Sequence, residues 1–288
     1  NNAGQGIFVA TNGDGNDLSV QSRQEFAITD AQITNSTGQG IFMSANNNST
    51  QKFEIANSTI NDTTLNNLNS GGQGVFVQAN SIAQQDFTID NVQISDSQGQ
   101  GIFVGANGDE KNPKLQSQQR FHISNVQISN STGQGIFVSA NNNSRQEFEI
   151  ETSTIGGTTP TSGTDGGQGI FVQGNAVSVQ DYRINNTMVT DNASQGIFLQ
   201  TNGNAETLAD VELTILDKNA KPGFNAVLNS DRTFCLALTD NTSTTEFQLQ
   251  RNNGTFEVVN LDTLTQNNTG TVNFAPTLEN FTNVSQCN

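Results

Sequence analysis

Acidic side chains and a single histidine are the residues of this chain best suited to catalysis. Hydrolysis of a glycosidic bond needs two carboxylates facing each other across a groove, and elimination chemistry needs a cluster of acids beside an Arg or Lys. The acidic residues that the strand pattern predicts to point outward are scattered among basic residues and repeat only loosely. They are Glu25, Asp86, Glu147, Glu149 and Asp181, among Lys52, Arg120, Arg145 and Arg183. Since no singular pair stands out, we expect no enzymatic activity.

The histidine, His122, belongs to a repeated segment. Its counterparts in other copies are Ala27, Glu54 and Glu149, so the position tolerates residues of very different chemistry. We therefore interpret His122 as a surface residue. The close similarity of the copies is a second argument against an active site, which normally needs one unique constellation.

A weak candidate for Ca²⁺ lies in the first long loop, NGDGND. Oxygen ligands at Asn12, Asp14 and Asn16 resemble the opening of a Ca²⁺-binding loop, but the following Gly and the distal Glu are missing. Turn chemistry accounts for the same residues. Apart from this possible Ca²⁺, we expect no cofactor.

Cys235 and Cys287 are the two cysteines, and both lie outside the repeats. A disulfide between them is predicted, as in proteins of oxidising compartments. The alternative is a pair of buried free thiols.

Charge and composition exclude several classes of partner. The formal net charge is −16 with 11 Lys plus Arg among 288 residues, so there is no basic patch to neutralise phosphates of nucleic acid or of an anionic membrane. No apolar run approaches the ~18 residues of a transmembrane helix, and we find no signal peptide. The chain begins with Asn1 rather than Met, which we interpret as a processed or trimmed terminus.

A six-residue motif, GQGIFV with little variation, organises the first three quarters of the chain. Its copies begin at residues 4, 38, 72, 99, 133, 167 and 194, at spacings of 34, 34, 27, 34, 34 and 27. Three copies therefore form a super-repeat of 95 residues, which is duplicated. Such periods indicate a solenoid that shares one thin core along its length.

A second motif, F-x-I with polar residues between, follows in each copy. It occurs as EFAITDAQI from residue 25 and as DFTIDNVQI from residue 86. Alternation over short runs predicts β-strands rather than helices. A bend position follows the F-x-I strand, and we expect stacked amides there; it holds Asp30, Asn57, Asn91, Asn125, Thr152 and Asn186.

On these residues the chain resembles the right-handed parallel β-helix family, and within it the large repeat-bearing surface or secreted proteins of bacteria. The resemblance covers roughly residues 1–217. It implies an all-β fold of about seven coils, each with three short strands stacked into a prism. Many members of the family degrade acidic polysaccharides, so an enzyme of that kind remains a minor alternative.

The two ends of the array are expected to differ. Residues 1–3 align with residues 191–193, so the array begins within a coil and without a cap, and further coils or another molecule are expected to cover it. We interpret residues 218–288 as a second, β-rich domain that caps the last coil. Within it, residues 246–259 (EFQLQRNNGTFEVV) predict a hairpin around an Asn-Gly turn.

The phenylalanine of the first motif is the main candidate for function. Side chains alternate along a strand, and position +2 after Phe is variable and mostly polar whereas position +3 is small, so Phe is predicted to point outward. Gly4 and Gly6 would then leave a bare shelf beside each ring. The resulting interface candidates, one ring per coil, are Phe8, Phe42, Phe76, Phe103, Phe137, Phe171 and Phe198.

Three environments are possible for this row of rings. A β-bulge would bury it as core, a segment of the same chain would cover it, or another molecule would bind it. An exposed aromatic row exceeds the apolar patch usual on a monomer. We therefore expect a non-enzymatic extracellular or cell-surface structural protein that associates with copies of itself through the rings and the open coil end, as a filament, sheath or surface layer. The alternative is a monomeric adhesin that binds a surface or a glycan.

Overall fold

The chain folds as a parallel β-helix whose strands are stacked in register. The computed structural model describes residues 4–15, 17, 19, 21–66, 71–109, 116–162 and 165–287. Strands are numbered β1 to β29 in chain order, and each regular coil contributes three of them, so the coils form three walls. A right-handed winding is the usual one for parallel crossover connections.

The wall built from the GQGIFV motif is called the Phe wall. Its strands pair in parallel with the same residue types in line, as in Ile41 with Val75 and Ala45 with Ala79. The strands are β1 (Ile7–Asn12), β4 (Ile41–Asn46), β7 (Val75–Asn80), β10 (Ile102–Asn107), β13 (Ile136–Asn141), β18 (Ile170–Gly174), β21 (Ile197–Gly203) and β24 (Phe224–Ser230). From β4 onward the residues facing the interior are buried, among them Ile41 and Ala45, whereas Ile7 and Val9 of β1 are partly buried.

The F-x-I motif forms the second wall, called the charged wall because its outward positions carry most of the ion pairs described below. Its strands are β2 (Ser22–Thr29), β5 (Ser49–Ala56), β8 (Gln84–Asp90), β11 (Ser117–Ser124), β14 (Ser144–Glu151), β19 (Val179–Asn185), β22 (Glu206–Glu212), β25 (Thr233–Thr239), β27 (Thr255–Val259) and β29 (Thr282–Val284). Strict alternation along β8 and β11 buries Phe and Ile on the inner side.

Three-residue strands close each coil and form the short wall. They are β3 (Gln32–Thr34), β6 (Thr59–Asn61), β9 (Gln93–Ser95), β12 (Gln127–Ser129), β15 (Thr154–Gly156), β20 (Met188–Thr190) and β23 (Ile215–Asp217). The central residue of each, such as Ile60, points into the core. An inserted antiparallel pair, β16 (Pro160–Ser162) and β17 (Asp165–Gly166), lies in the turn after β15.

Left-handed residues make the corners of the coil. The bend after the F-x-I strand has φ between 46° and 55° at positions such as Asp30, Asn57, Asn186 and Asp240. Asn and Asp tolerate this region better than other side chains do. Thr152 and Leu213 occupy the same bend with φ of 50° and 52°, so stacking of the strands imposes this backbone even without a favourable residue.

The expected hairpin over residues 246–259 is wrong. β26 (Thr242–Arg251) pairs in parallel with β24, whereas β27 pairs in parallel with β25 on the charged wall. The Asn-Gly turn therefore connects two walls of one coil rather than two antiparallel strands. Short apolar strands flanking Asn-Gly fit both arrangements, and the open edge of the coil stack decides between them.

Parallel stacking continues across residues 217 and 218. β24 pairs with β21, β25 with β22, and β26 with β23, and β28 (Thr269–Ala275) pairs with β26. Two short 3₁₀ helices, Leu261–Thr263 and Leu278–Asn280, lie in the last turns. The division of the chain into a helix domain and a capping domain at this point stays a prediction. None of the helices in the described part of the chain could span a bilayer.

Candidate interaction surface

The seven phenylalanines of the repeated motif lie on the outside of the Phe wall. In β4, Ile41 and Met43 are fully buried, while Phe42 between them is partly exposed. β7 and β13 show the same alternation at Phe76 and Phe137. The bulge that would have turned the rings inward is absent from these paired strands, since their register is continuous.

The rings form one ladder along the helix axis. Centroids of Phe8 and Phe42 are 5.0 Å apart with planes 6° from parallel, and those of Phe42 and Phe76 are 5.1 Å apart at 4°. This is offset stacking, so neighbours cover part of both faces of an inner ring. The ladder therefore presents mainly ring edges to solvent, while Phe8, which has a ring on one side, is 59% exposed.

A change of ring orientation divides the ladder into two stacks. The planes of Phe103 and Phe137 lie at 72° with centroids 5.5 Å apart, whereas Phe137 and Phe171 are parallel within 5°. Phe103 belongs to the first stack, since its plane lies within 15° of that of Phe76. A Cβ at Gly105 would lie 2.8 Å from Cε1 of Phe103, so the ring occupies the space that a side chain would fill.

The Phe wall carries no charge across its first seven strands, although the protein has a net charge of −16. Three columns of side chains run along its outer face, the Phe, a variable position and an Asn, while the Gln of the motif precedes the strand and is partly buried in most coils. The Gln column is bonded along the axis, for example from Nε2 of Gln73 to Oε1 of Gln100 at 3.1 Å. Two such faces can approach each other without like-charge repulsion at the contact.

The expected bare shelf beside each ring is wrong for the second glycine of the motif. A Cβ on Gly6 would lie 2.5 Å from Cγ2 of Ile33 and 2.6 Å from the carbonyl oxygen of Gly40. This glycine therefore lets the Phe wall and the short wall meet at a closed corner. Gly4 differs, since a Cβ there would meet nothing within 4 Å.

An asparagine ladder borders the Phe wall at the ends of its strands. Each Nδ2 donates to Oδ1 of the preceding coil: Asn46 to Asn12 at 2.8 Å, Asn80 to Asn46 at 2.7 Å, and Asn141 to Asn107 at 3.0 Å. The stacked amides predicted for the F-x-I bend are realised between Asn57 and Asn91 at 2.8 Å. The bend after the F-x-I strand has a left-handed backbone in the coils. The longer ladder of amides is the asparagine ladder at the ends of the Phe-wall strands.

A buried glutamine ladder on the inner side of the charged wall was missed by the sequence reasoning. Nε2 of Gln85 donates to Gln51 at 2.8 Å, that of Gln119 to Gln85 at 2.7 Å, and that of Gln146 to Gln119 at 2.8 Å. The signal was present, because every F-x-I motif is preceded by Gln two residues earlier and therefore on the inner face. This ladder stabilises and aligns the coils.

Ion pairs occupy the outer face of the charged wall. Lys52 lies 3.4 Å from Glu25, and Arg120 lies 2.9 Å from Glu147. His122 contacts Glu151 at 2.9 Å, consistent with a surface contact.

Arg183 contacts both Asp210 and Glu212. Burial raises the pKa of the Asp210 carboxyl above its ordinary value, although Arg183 opposes the shift. These two acids therefore form salt bridges with Arg183 of the neighbouring coil. The absence of enzymatic activity stays a prediction.

Two of the three Ca²⁺ candidates fall within the described residues. Oδ1 of Asn12 accepts a bond from Asn46 in the asparagine ladder, and Oδ1 of Asp14 accepts the backbone N–H of Asp17 at 3.3 Å. Asn16 lies outside the described residues. No group of three or more His, Cys, Asp or Glu within the described residues could hold a metal ion, and the Ca²⁺ site stays a prediction.

Cys235 and Cys287 are joined by a disulfide with their Cα atoms 5.6 Å apart. Cys235 lies in β25, and Cys287 follows β29. The bond therefore ties the last described turn to a coil further inside the stack.

Comparison of the chain with protein family models, curated proteins and solved structures gives no match. The surface geometry is therefore the basis for the functional argument.

Proposed function

We propose that this chain is a non-enzymatic structural protein of the cell surface or extracellular space that associates with copies of itself through the Phe wall. The carrying observation is the outward ladder of seven rings on an uncharged wall. Phe8 is 59% exposed and the other six rings are partly exposed. The stacked strands hold this continuous aromatic row rigid, so little conformational entropy is lost on binding. The disulfide fits an oxidising compartment.

Ring orientation favours association over glycan binding by a monomeric adhesin. A pyranose packs best on an exposed aromatic face, but the inner rings share part of their faces with neighbouring rings. Ring edges and small side chains instead suit a second sheet packed face to face, as in interfaces between paired sheets. Copies of this chain offer such a sheet with the same spacing between rungs.

Filament or layer formation would need a further contact, because the ladder covers one wall only. In the described residues, β1 and β2 each pair with one neighbouring strand, β4 and β5. A strand edge at the end of a coil stack can pair with a further strand of the same kind, and we propose such end-to-end pairing of coils as the second contact.

The test compares the wild-type protein with a triple substitution of Phe76, Phe103 and Phe137 by Ser. We expect association of the wild type in sedimentation velocity and electron microscopy near neutral pH, and loss of it in the variant with an unchanged far-UV circular dichroism spectrum. The matched control replaces Gln84, Gln118 and Arg145 by Ser in the same three coils, at exposed positions of the charged wall. This control should associate as the wild type does.

A monodisperse wild-type monomer over the tested concentrations would contradict self-association. Binding of such a monomer to a glycan array, lost on the same triple substitution, would support the adhesin instead.

A further inference from the structure

One column of the Phe wall varies in size along the helix. The motif Gln, the Phe and the Asn recur in every coil from the first to the seventh, but the position two residues after Phe does not. Along the seven coils it holds Ala10, Ser44, Gln78, Gly105, Ser139, Gln173 and Gln200. We call this the variable column; its side chains share the outer face with the rings.

The variable column has a relief of ridges and hollows. Ser44 and Ser139 are 5% exposed and lie in hollows. The hydroxyl of each accepts a hydrogen bond from the side-chain amide of the Asn two residues later in the strand. Gln173 and Gln200 stand in neighbouring coils and bond each other at 2.9 Å, which makes a firm ridge. Gly105 has no side chain and is covered by the ring of Phe103.

This relief is complementary to itself when the order of the coils is reversed. The first coil then meets the seventh, placing Ala10 opposite Gln200, and the second meets the sixth, placing Ser44 opposite Gln173. The third meets the fifth, with the long Gln78 opposite a Ser, and the fourth meets its own counterpart at Gly105. Each long side chain thus faces a short one, and the position without a side chain faces itself.

We infer that two copies of this chain pack Phe wall to Phe wall, antiparallel, about a two-fold axis that passes through Gly105. An in-plane two-fold axis parallel to the strands places each column opposite the same column of the partner and reverses the coil order. The inference rests on the proposed self-association and specifies its symmetry. Because such a contact is isologous, it closes a dimer and leaves growth to another surface.

Other arrangements of the two walls fit less well. A two-fold axis parallel to the helix keeps coils at the same level and sets Phe against the variable column, where Gln78, Gln173 and Gln200 would each oppose a ring. An antiparallel shift by one coil leaves the seventh rung without a partner and sets Ser44 against Ser139, two hollows together. The centred antiparallel arrangement engages all seven rungs.

The contact area suits a stable dimer. Seven coils at about 4.8 Å and strands of about 20 Å give a face of roughly 34 by 20 Å on each copy. Two such faces bury an area within the range of about 1,200–2,000 Å² that specific complexes use. The absence of charge on the wall keeps like charges out of the contact, although each copy has a net charge of −16.

Distances between spin labels test the symmetry, since facing sheets lie about 10 Å apart, too far for a direct disulfide. The described residues contain no free cysteine, so a nitroxide can be attached at Ala10→Cys alone. In the proposed dimer the two copies of residue 10 lie at opposite ends of the contact, six coils or about 29 Å apart along the helix axis. Pulsed electron–electron double resonance should therefore give a distance of about 30 Å between the two labels.

Two further distances define direction and register. The parallel arrangement keeps the two copies of residue 10 at the same level of the stack, so a distance of about 15 Å or less between the labels would overturn the inference. Gln200→Cys, labelled in a second variant, should give the same distance as Ala10→Cys, whereas a shift by one coil would give about 24 Å at one position and about 34 Å at the other. Sedimentation of the labelled proteins distinguishes the two proposals: a monomer contradicts both, whereas an associated protein with other distances contradicts the symmetry alone.

Discussion

At the scale of the residue, the second glycine of the GQGIFV motif is explained by a corner rather than by an open surface. A Cβ on Gly135 would lie 2.2 Å from Cγ2 of Ile155 and 2.6 Å from the carbonyl oxygen of Gly169. The backbone at this contact cannot move aside as a flexible side chain can. Glycine is therefore required at this position by the fold, and the first glycine of the same motif is the natural comparison.

Gly135→Ala should lower the free energy of unfolding by about 1–3 kcal/mol, the usual cost of overpacking. Gly4→Ala provides the matched control, because a Cβ there meets nothing within 4 Å, and it should change stability by less than about 0.5 kcal/mol. Urea denaturation followed by circular dichroism measures both. Equal midpoints for the two variants would show that the corner relaxes at no cost.

Gln119 shows how one buried amide serves two neighbours. Its Nε2 donates to Gln85, and its Oε1 accepts from Gln146. Gln119→Leu leaves the Gln85 oxygen without this donor and one N–H of Gln146 without its acceptor, although Gln146 Nε2 keeps its bond to the carbonyl oxygen of Ser139 at 3.3 Å. We therefore expect a loss of about 1–3 kcal/mol for each unpaired group. Gln118→Leu changes the adjacent exposed residue of the same strand and should be near neutral. If both variants unfold at the same urea concentration, the ladder contributes nothing.

At the scale of the element, the walls differ in how they avoid unfavourable stacking. Parallel in-register strands place like residues side by side, which suits Phe, Asn and Gln but not charges. The charged wall accordingly alternates sign along one column from Glu25 through Lys52, Asp86 and Arg120 to Glu147, and the alternation ends at Asp181, which follows Glu147. The alternation explains why the repeats diverge at these positions while the motifs stay constant.

The last residue of β8, Asp90, makes the stability of the folded protein depend on pH. Hydrogen bonds from Ser124 Oγ at 2.6 Å and Asn125 Nδ2 at 2.8 Å lower the pKa of the Asp90 carboxyl. A lowered pKa in the folded state stabilises the protein above the ordinary value near 3.8, and this contribution is lost as pH falls through the lowered value. The bond joins successive coils.

Ser124→Ala should therefore lower the Tm more at pH 6 than at pH 2, because the stabilisation from the lowered pKa is fully present above 3.8 and declines as the pH falls. Ser129→Ala, at an exposed position of the next strand, is the control and should give the same small difference at both pH values. Thermal melts of the three proteins at each pH measure the effect. A pH-independent loss in Ser124→Ala would assign the role of Ser124 to packing.

At the scale of the whole molecule, stability is distributed along the helix axis. Each coil contacts its neighbours along the stack, so unfolding can begin at one end without the rest, as in other solenoids. The disulfide closes a loop with a sequence separation of 52 residues at the C-terminal end. Its stabilisation is therefore expected to be local.

Cys235→Ala with Cys287→Ala should cost about 4 kcal/mol in the stability of the last coils, from the loop entropy of a 52-residue separation. Hydrogen exchange should show faster exchange in β27, β28 and β29 and unchanged protection in β4 to β14. Chemical reduction of the wild type serves as the control and should reproduce the pattern. Uniformly faster exchange along the helix would mean that the chain unfolds as one unit.

Local patterns in the sequence were sufficient for the class of fold and for the direction of the rings. Alternation along I-F-V and F-x-I is a property of the strand itself, and spacings of 27 and 34 residues set the coil. The Q-x-F pattern also indicates the buried glutamine ladder, which we did not predict from it. These features depend on residues close in the chain, whose relation to one another is fixed by backbone geometry.

Only the tertiary structure decided three other features: the path of residues 246–259, the role of Gly6 and the relief of the variable column. The first depends on whether a free strand edge is present nearby, because the same alternating residues pair with either neighbour. The second depends on a side chain, Ile33, in another wall. The third appears when seven coils are set in register, since contacts between residues distant in the chain are determined by stacking rather than by local sequence.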